Sequence, residues 1–368
     1  MLTIKSRAHD YTVENFPDLA SALITIPAQR SWFLIDKRFS EFYRPILDQA
    51  VPANRAVYVE ATEEQKSFEA LTPIFLDLLK RELKRDGLLI VIGGGVLQDI
   101  GAFIATVLFR GLRWELIPTT LLAQADSCIG SKSSINIGPY KNQIGTFCPP
   151  NRIQVTSSVL ATLPWDEIRS GLGEVIKLQL LSSEKGFREL MDDLKSWRKT
   201  EDREQKAVAA IPAELLSKWV SRSLEVKKPY VEADEFDKGI RNILNYGHTF
   251  GHAYESATHY GIPHGIGVVL GMLTATYLSV RLGLAEVVHY QELKTMLQPW
   301  HEPYSNILRK GSRDEIFQAI KHDKKNTGQA VNCILTRGFG RMEKMPVPLA
   351  EQLVPAVNDF IERECGSA

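Results

Sequence analysis

The segment from Asn245 to Gly265, NYGHTFGHAYESATHYGIPHG, carries three histidines whose spacing suits metal chemistry. His248 and His252 stand four residues apart, so on a helix they share one face. His264 follows a Gly-Ile-Pro break, which turns the chain back and offers a third imidazole to the same space. Two or three converging imidazoles suit a divalent cation of the zinc kind, and a catalytic centre also keeps one coordination position open. The alternative is a set of hydrogen-bonded core histidines. The flanking Gly247, Gly251 and Gly265 favour the site, because glycine allows the backbone to approach a ligand closely. The pair reads HTFGH rather than HExxH, so the glutamate base of a zinc protease is missing.

A carboxylate to join the imidazoles stands in GEVIK. Glu174 lies between Leu172 and Val175 in an apolar helical pattern, where a carboxylate is costly unless paired or bound to metal. Glu174 with His248 and His264 then makes a two-histidine, one-glutamate site. The segment leaves a second reading open, a surface pair of Glu174 with Lys177.

Other residues suit phosphate chemistry. In GLLIVIGGGVLQDIGAF a strand from Leu88 to Ile92 runs into Gly93-Gly94-Gly95, with a helix starting near Leu97. Strand, glycine turn and helix present backbone N–H groups to a pyrophosphate. The spacing is not GxGxxG, and a simple tight turn would also account for it. Asp99, in the first helical turn, would either meet a cofactor hydroxyl or complement the helix dipole. A further strand, LRWELIPTT, ends at Thr119-Thr120, where open α/β sheets bind ligands. IGSKSSINIGPYKNQIGTF reads as a loop of small residues holding Lys132, Lys141 and Asn142, suited to an anion or to plain solvent exposure.

The elements that position these residues divide into two kinds. SWFLID, ending at Asp36, and RAVYVEA, around Val57 to Ala61, read as strands, and Phe68 to Leu83 has the helical period. From Pro164 onward the patterns are helical: WDEIRSGLGEVIKLQLL, FRELMDDLKSW, AELLSKWVSRSLEVKKPYV, the histidine helix and GVVLGMLTATYLSVRLGL. Arg198 to Lys206 reads as a charged surface connection, and VNCILTR as a lone late strand or hairpin. A chain of 368 residues exceeds what one core usually serves, so two domains are expected, 1–155 and 156–368. Lysine plus arginine (44) balance aspartate plus glutamate (44), which gives no bulk charge to draw nucleic acid or a membrane surface. Cys128, Cys148, Cys333 and Cys365 show no CxxC spacing and read as free thiols of a reduced cytoplasmic protein. The N-terminal residues lack the pattern of a signal peptide, and no run of apolar residues is long enough for a membrane span.

Taken in order, GGGVLQDIGAF, Arg110-Gly111, PTTLLAQADS, GSKSSIN, KNQIGTF, GEVIK, LEVKKPYV, ADEFDKGIRNILNYGHTFGHA, His264-Gly265 and DKK resemble the 3-dehydroquinate synthase family of sugar phosphate cyclases, from about Asp36 to Lys325. The resemblance implies an α/β N-terminal NAD-binding domain and a mainly α-helical C-terminal metal-binding domain. It implies a lyase that converts DAHP, an acyclic seven-carbon sugar acid phosphate, to 3-dehydroquinate and phosphate, with NAD oxidation that is transient. Zn2+ or Co2+ would be held by Glu174, His248 and His264, with His252 a polar or proton-handling neighbour. Lys177, Lys227, Arg241 and Asn245 match positions that grip carboxylate and hydroxyls; Arg110, Lys132 and Asn142 match phosphate contacts, with Lys324 or Lys325 as one more cation. Asp36, Glu63, Lys66, Gly94, Gly95, Asp99, Thr119, Thr120, Leu122, Lys141, Thr162 and Leu163 match cofactor positions, as does Asp126, which also suits the substrate. Glu63 and Lys66 equally suit an exposed pair three residues apart. The resemblance further implies a cytoplasmic homodimer of the shikimate pathway, acting on a small-molecule sugar phosphate.

The chain departs from the family pattern at four places. Gly130-Ser131-Lys132 replaces GGK, Ile266 follows His264-Gly265 where glutamate is usual, Asp237 replaces glutamate, and Gln98 stands where glycine is common. Ser131 and Ile266 are expected at the pocket's border and bear on the choice of substrate. The competing readings are a sister cyclase making an inosose or a valiolone, a metal-dependent polyol dehydrogenase, and a non-catalytic relative.

Overall fold

The computed structural model describes residues 1–138, 140–200, 211–322 and 330–365, without the side chains of 198–200 and 322. Most of the expected connection from Arg198 to Lys206, and both Lys324 and Lys325, lie outside the described residues. The chain forms two compact units: Met1–Pro164 with Ala207–Phe236, and Trp165–Lys206 with Asp237–Ala368.

The first unit is built on a seven-stranded sheet. Its strands are β1 (Leu2–Ile4), β2 (Tyr11–Asn15), β3 (Ser31–Asp36), β4 (Ala56–Val59), β5 (Leu88–Gly93), β6 (Arg113–Pro118) and β9 (Arg152–Val155), in the order β1-β2-β9-β6-β5-β3-β4. The β1–β2 pair is antiparallel and all the others are parallel. β5, LLIVIG, is buried along its whole length, as a central parallel strand covered on both faces must be. The helices α1 (Leu19–Leu23), α2 (Lys37–Ala50), α3 (Leu71–Lys80) and α4 (Gly95–Val107) connect these strands. After β3 the chain runs out to edge strand β4 and returns to β5 on the other side of β3. The carboxyl ends of β3 and β5 therefore flank the topological switch point, where open α/β sheets take their ligands.

Between β6 and β9, the stretch expected as a loop is instead a hairpin of β7 (Lys132–Ile137) and β8 (Tyr140–Phe147), with Lys132 opposite Phe147 and Ile137 opposite Tyr140. Its backbone is paired although the stretch is rich in glycine, serine and asparagine.

The second unit holds α5 (Trp165–Ser182), α6 (Glu184–Thr200), α8 (His248–Ala257), α9 (His264–Arg281), α10 (Val287–Lys310), α11 (Arg313–His322) and α12 (Val354–Arg363). The late strand expected around Val331 is one arm of a hairpin, β10 (Ala330–Thr336) with β11 (Met342–Pro348). α7 (Ala213–Ala233) groups with the sheet-bearing unit, so a single cut near residue 155 does not describe the contacts. α7 packs on the turn Ala123–Ser127 and on Ser157–Thr162, which are both first-unit segments.

α9 is the centre of the second unit. It is apolar on nearly every side and buried from Gly265 through Ser279 except at Tyr277, the pattern of a helix enclosed by others. Its buried Thr274 and Thr276 donate back to the carbonyls of Leu270 (2.9 Å) and Met272 (2.8 Å), and bond to the hydroxyls of Tyr254 (2.8 Å) and Tyr246 (2.7 Å). Tyr246 lies just before α8 and Tyr254 lies within it, so these bonds set the position of α8 along α9.

Close approach of the helices depends on glycine. A Cβ on Gly271 would lie 1.9 Å from the Gly247 carbonyl oxygen, one on Gly251 2.8 Å from the Gly267 oxygen, and one on Gly265 1.8 Å from the Ser170 oxygen. The glycines read from sequence as room for a ligand are thus filled by neighbouring backbone.

Candidate metal and cofactor site

Three helix segments bring the metal candidates together in the second unit. Glu174 projects from the middle of α5, His248 is the first residue of α8, and His264 the first of α9. Glu174 Oε1 lies 3.5 Å from His248 Nε2 and 3.1 Å from His264 Nε2. Ring nitrogens of His248, His252 and His264 lie within 4.8 Å of one another. Glu174 is paired with Lys177, as one sequence reading held, but both side chains are only 2% exposed, so this is a buried pair and not a surface one.

The hydrogen bonds behind the imidazoles decide which nitrogen faces inward. His264 Nδ1 is 3.0 Å from Glu255 Oε1, and His248 Nδ1 is 3.4 Å from the Tyr246 carbonyl oxygen. Carboxylates and carbonyls only accept, so each Nδ1 carries hydrogen and each Nε2 is turned toward Glu174. Burial pushes His264 toward the neutral form, but hydrogen bonds to Glu174 and Glu255 outweigh it and raise its pKa to about 10. A pocket with two carboxylates around one imidazole demands positive charge. One buried carboxylate and two inward-facing Nε2 atoms fit a divalent cation, with the outer bonds expected of metal-ligating histidines.

Arg241 and Asn245 lie in the tight turn Ile240–Asn245 that leads into α8, and Arg241 is buried. Asp237, with φ of 55°, starts this segment; its side chain and carbonyl accept from Asn242 Nδ2 (2.9 and 3.1 Å), and Asn242 Oδ1 accepts from Lys344 (2.7 Å). The strained Asp237 backbone is thereby held in place by β11.

In the first unit, Asp36 ends β3 and its carboxylate caps α2 by accepting from the N–H groups of Arg38 (2.9 Å) and Phe39 (3.4 Å). Across the switch point, α4 begins at Gly95, two residues earlier than expected, with Gly94 at its N-cap and no side-chain cap. No side chain caps the first-turn N–H groups of this 13-residue helix, an end that fits a dinucleotide pyrophosphate. Gly94 is required here because a Cβ would meet Thr120 Cγ2 at 2.8 Å. Thr119 and Thr120 follow β6; Thr120 Oγ1 accepts from Ala123 N–H at 3.2 Å, and Leu122 leads into the turn. Gln98 bonds Ser127 through both ends of its amide, tying α4 to that turn. Thr162 and Leu163 close the segment after β9.

Asp99 does not serve the helix dipole. It lies past the first turn and accepts from Ser134 N–H (3.2 Å), Ser134 Oγ (2.8 Å) and Lys66 Nζ (3.3 Å), while burial pushes its pKa up. Lys66 also donates to Asn142 Oδ1 at 3.0 Å and lies 3.5 Å from Glu63; Lys66 is buried, so the pair with Glu63 is not an exposed one. Asn142 therefore stands with Lys66 and Asp99 near the hairpin tip, whereas Lys132 lies at its open end. Lys141 is exposed beside Asn142, and Asp126 pairs with Lys227 of α7, which also donates to the Asp126 carbonyl (2.6 Å). Arg110 is exposed, within three consecutive positive-φ residues, Phe109, Arg110 and Gly111. Of the departures, Ser131 is buried with φ of 57°, and Ile266 is fully buried within α9.

Glu255 was not singled out by sequence. The available signal was its place three residues after His252 and seven after His248, on the same helical face.

Fold and site together describe a two-unit protein with a switch point suited to a dinucleotide and a histidine–carboxylate cluster suited to a cation, the combination expected of a sugar phosphate cyclase. Residues 56–170 match the family model for the 3-dehydroquinate synthase N-terminal region, and 171–326 the model for its C-terminal region. The chain belongs to the 3-dehydroquinate synthase family. It is 37% identical over 315 residues to the 3-dehydroquinate synthase of Dictyoglomus turgidum (85% of this chain, 84% of the relative) and 31% identical over 373 residues to that of Enterococcus faecalis (99% of each). Among solved structures, its fold is similar to that of 2-deoxy-scyllo-inosose synthase complexed with carbaglucose-6-phosphate, NAD+ and Co2+, with a TM-score of 0.81 and 20% identity over 98% of each chain. It also resembles 2-epi-5-epi-valiolone synthase from Streptomyces hygroscopicus with NAD+ and Zn2+ bound, with a TM-score of 0.77 and 24% identity over 96% of this chain and 97% of that one.

Proposed function

We propose that this chain is a 3-dehydroquinate synthase that converts DAHP to 3-dehydroquinate and phosphate, using NAD and a divalent metal, with zinc or cobalt as candidates. The observation that carries the reading is the convergence of Glu174, His248 Nε2 and His264 Nε2 in a member of this family. When bound, NAD supplies reversible hydride chemistry and the cation supplies charge that polarises a hydroxyl and the carbonyl derived from it.

The protein's own residues bind and orient. Glu174, His248 and His264 would hold the cation, and Lys177 pairs with Glu174 from the same helix. Arg241, with its planar fork, suits a bidentate grip on the substrate carboxylate, while Lys227 and Asn245 suit its hydroxyls. Arg110, Lys132 and Asn142 suit the phosphate, with Lys324 or Lys325 a further cation. His252, the exposed member of the imidazole cluster, would carry a proton beside the metal, a role supported by its nearness to His248 and His264. Asp36, Gly94, Gly95, Thr119 and Thr120 line the switch point that would receive NAD. A cytoplasmic homodimer in the shikimate pathway completes the reading; sedimentation of the purified protein tests the dimer.

Supplying DAHP, a catalytic trace of NAD, and Zn2+ or Co2+ should release phosphate over many turnovers without NADH accumulating. One NADH per turnover would instead identify a polyol dehydrogenase. Phosphate release from other sugar phosphates, but not from DAHP, would identify a sister cyclase.

A further inference from the structure

We propose that Glu255 is a positioning residue of the metal centre, holding His264 in the tautomer and orientation that present Nε2 to the cation. This rests on the metal reading given above. Glu255 lies on α8 on the face that carries His248 and His252, yet it reaches the histidine of another helix: its Oε1 is 3.0 Å from His264 Nδ1. Its side chain is 11% exposed, and among the described residues His264 is its one side-chain partner. A buried carboxylate is costly, and among the described residues the His264 contact is the one that offsets that cost.

The site is shaped for this contact. A Cβ on Gly267 would lie 3.0 Å from Glu255 Oε1 and 3.1 Å from its Cγ, so the carboxylate is packed against bare α9 backbone. His264 is also the histidine in greater need of an anchor. Its side chain is 33% exposed, against 15% for His248. His248 leans on a backbone carbonyl at 3.4 Å, whereas His264 has a carboxylate, the stronger acceptor.

The test is Co2+ titration of chelator-stripped protein, followed by visible absorption, for the wild type, Glu255→Gln and Glu255→Ala. Glutamine keeps an acceptor for the Nδ1 hydrogen but loses the charge, whereas alanine loses both. The expected dissociation constants rise by about 10-fold for Glu255→Gln and about 100-fold for Glu255→Ala. The 15N shifts of His264 should report loss of the fixed tautomer in Glu255→Ala, a change that a merely structural role would not produce. Should Glu255→Ala fail to fold, the near-isosteric Glu255→Gln decides. Wild-type affinity in the variants overturns the inference and leaves the metal reading intact, whereas a wild-type chain that takes up no Co2+ overturns both.

Discussion

At the scale of single residues, the candidate centre is governed by what surrounds each ligand rather than by ligand identity alone. Two carboxylates flank His264, and in the metal-free protein they hold it protonated up to about pH 10. A divalent cation held by His264 would supply the positive charge in place of the Nε2 proton. His264→Ala should therefore lose bound zinc while the chain still folds, since His264 is partly exposed and helix packing runs through glycines. Metal analysis of the purified variant checks this, and stoichiometric zinc would refute the ligand assignment. Sequence showed the histidines and Glu174, because their types and helical spacing are visible without coordinates. It did not show Glu255, because only the fold brings a residue of α8 to the Nδ1 of His264. Nor did it place Asp99, whose partners come from a turn and a hairpin distant in sequence.

At the scale of elements, helix approach and helix ends make the decisive contributions. Gly271 sits in a helix interior, where alanine would ordinarily gain up to about 1 kcal/mol. Here a Cβ would lie 1.9 Å from the Gly247 carbonyl, and backbone cannot yield as a flexible side chain can. Gly271→Ala should thus destabilise by roughly 2 kcal/mol or more, and weaken metal binding by moving His248, measurable as a lower Tm together with a higher Kd for Co2+. The reverse sign is expected at the end of α3. Glu82 has φ of 60°, its N–H bonds to the Leu79 carbonyl (3.0 Å), and the Leu83 N–H bonds to the Leu78 carbonyl (3.1 Å). This is a Schellman cap with glutamate at the position that favours glycine. Glu82→Gly should raise stability by about 1 kcal/mol with no change in activity, which thermal unfolding and a phosphate-release assay would verify. The β7–β8 hairpin escaped sequence reading because its composition hides the two-residue period, whereas β5 and α9 announced themselves by long apolar runs.

At the scale of the whole molecule, stability should depend on pH in two separate windows. His301 is buried in α10, with Nδ1 3.1 Å from Ser305 Oγ, and burial lowers its pKa from 6.5 to about 4. The unfolded chain takes up the proton first, so His301 stabilises fully above pH 6.5 and loses that contribution between 6.5 and about 4, worth about 3 kcal/mol in total. His264 acts oppositely in the metal-free protein: its stabilisation is complete below pH 6.5 and is lost as pH rises toward about 10. Denaturant unfolding of metal-free protein should show both limbs, and His301→Gln should flatten the acidic one alone; an unchanged acidic limb would count against the buried-histidine account. The division into units illustrates what local patterns can and cannot specify. Helical period identified α7, but its packing on Ala123–Ser127 and Ser157–Thr162 places it in the sheet-bearing unit, a non-local choice no short window contains. By itself the sequence determined the type of its strongly periodic elements, the residues that are candidates for metal chemistry, and the family, because periodicity, side-chain chemistry and motif order are written along the chain. Only the tertiary structure decided that the glycines admit neighbouring helices rather than a ligand, that Glu255 backs His264, and that Asn142 and Asp99 share Lys66. Those relations depend on the close approach of segments far apart in sequence.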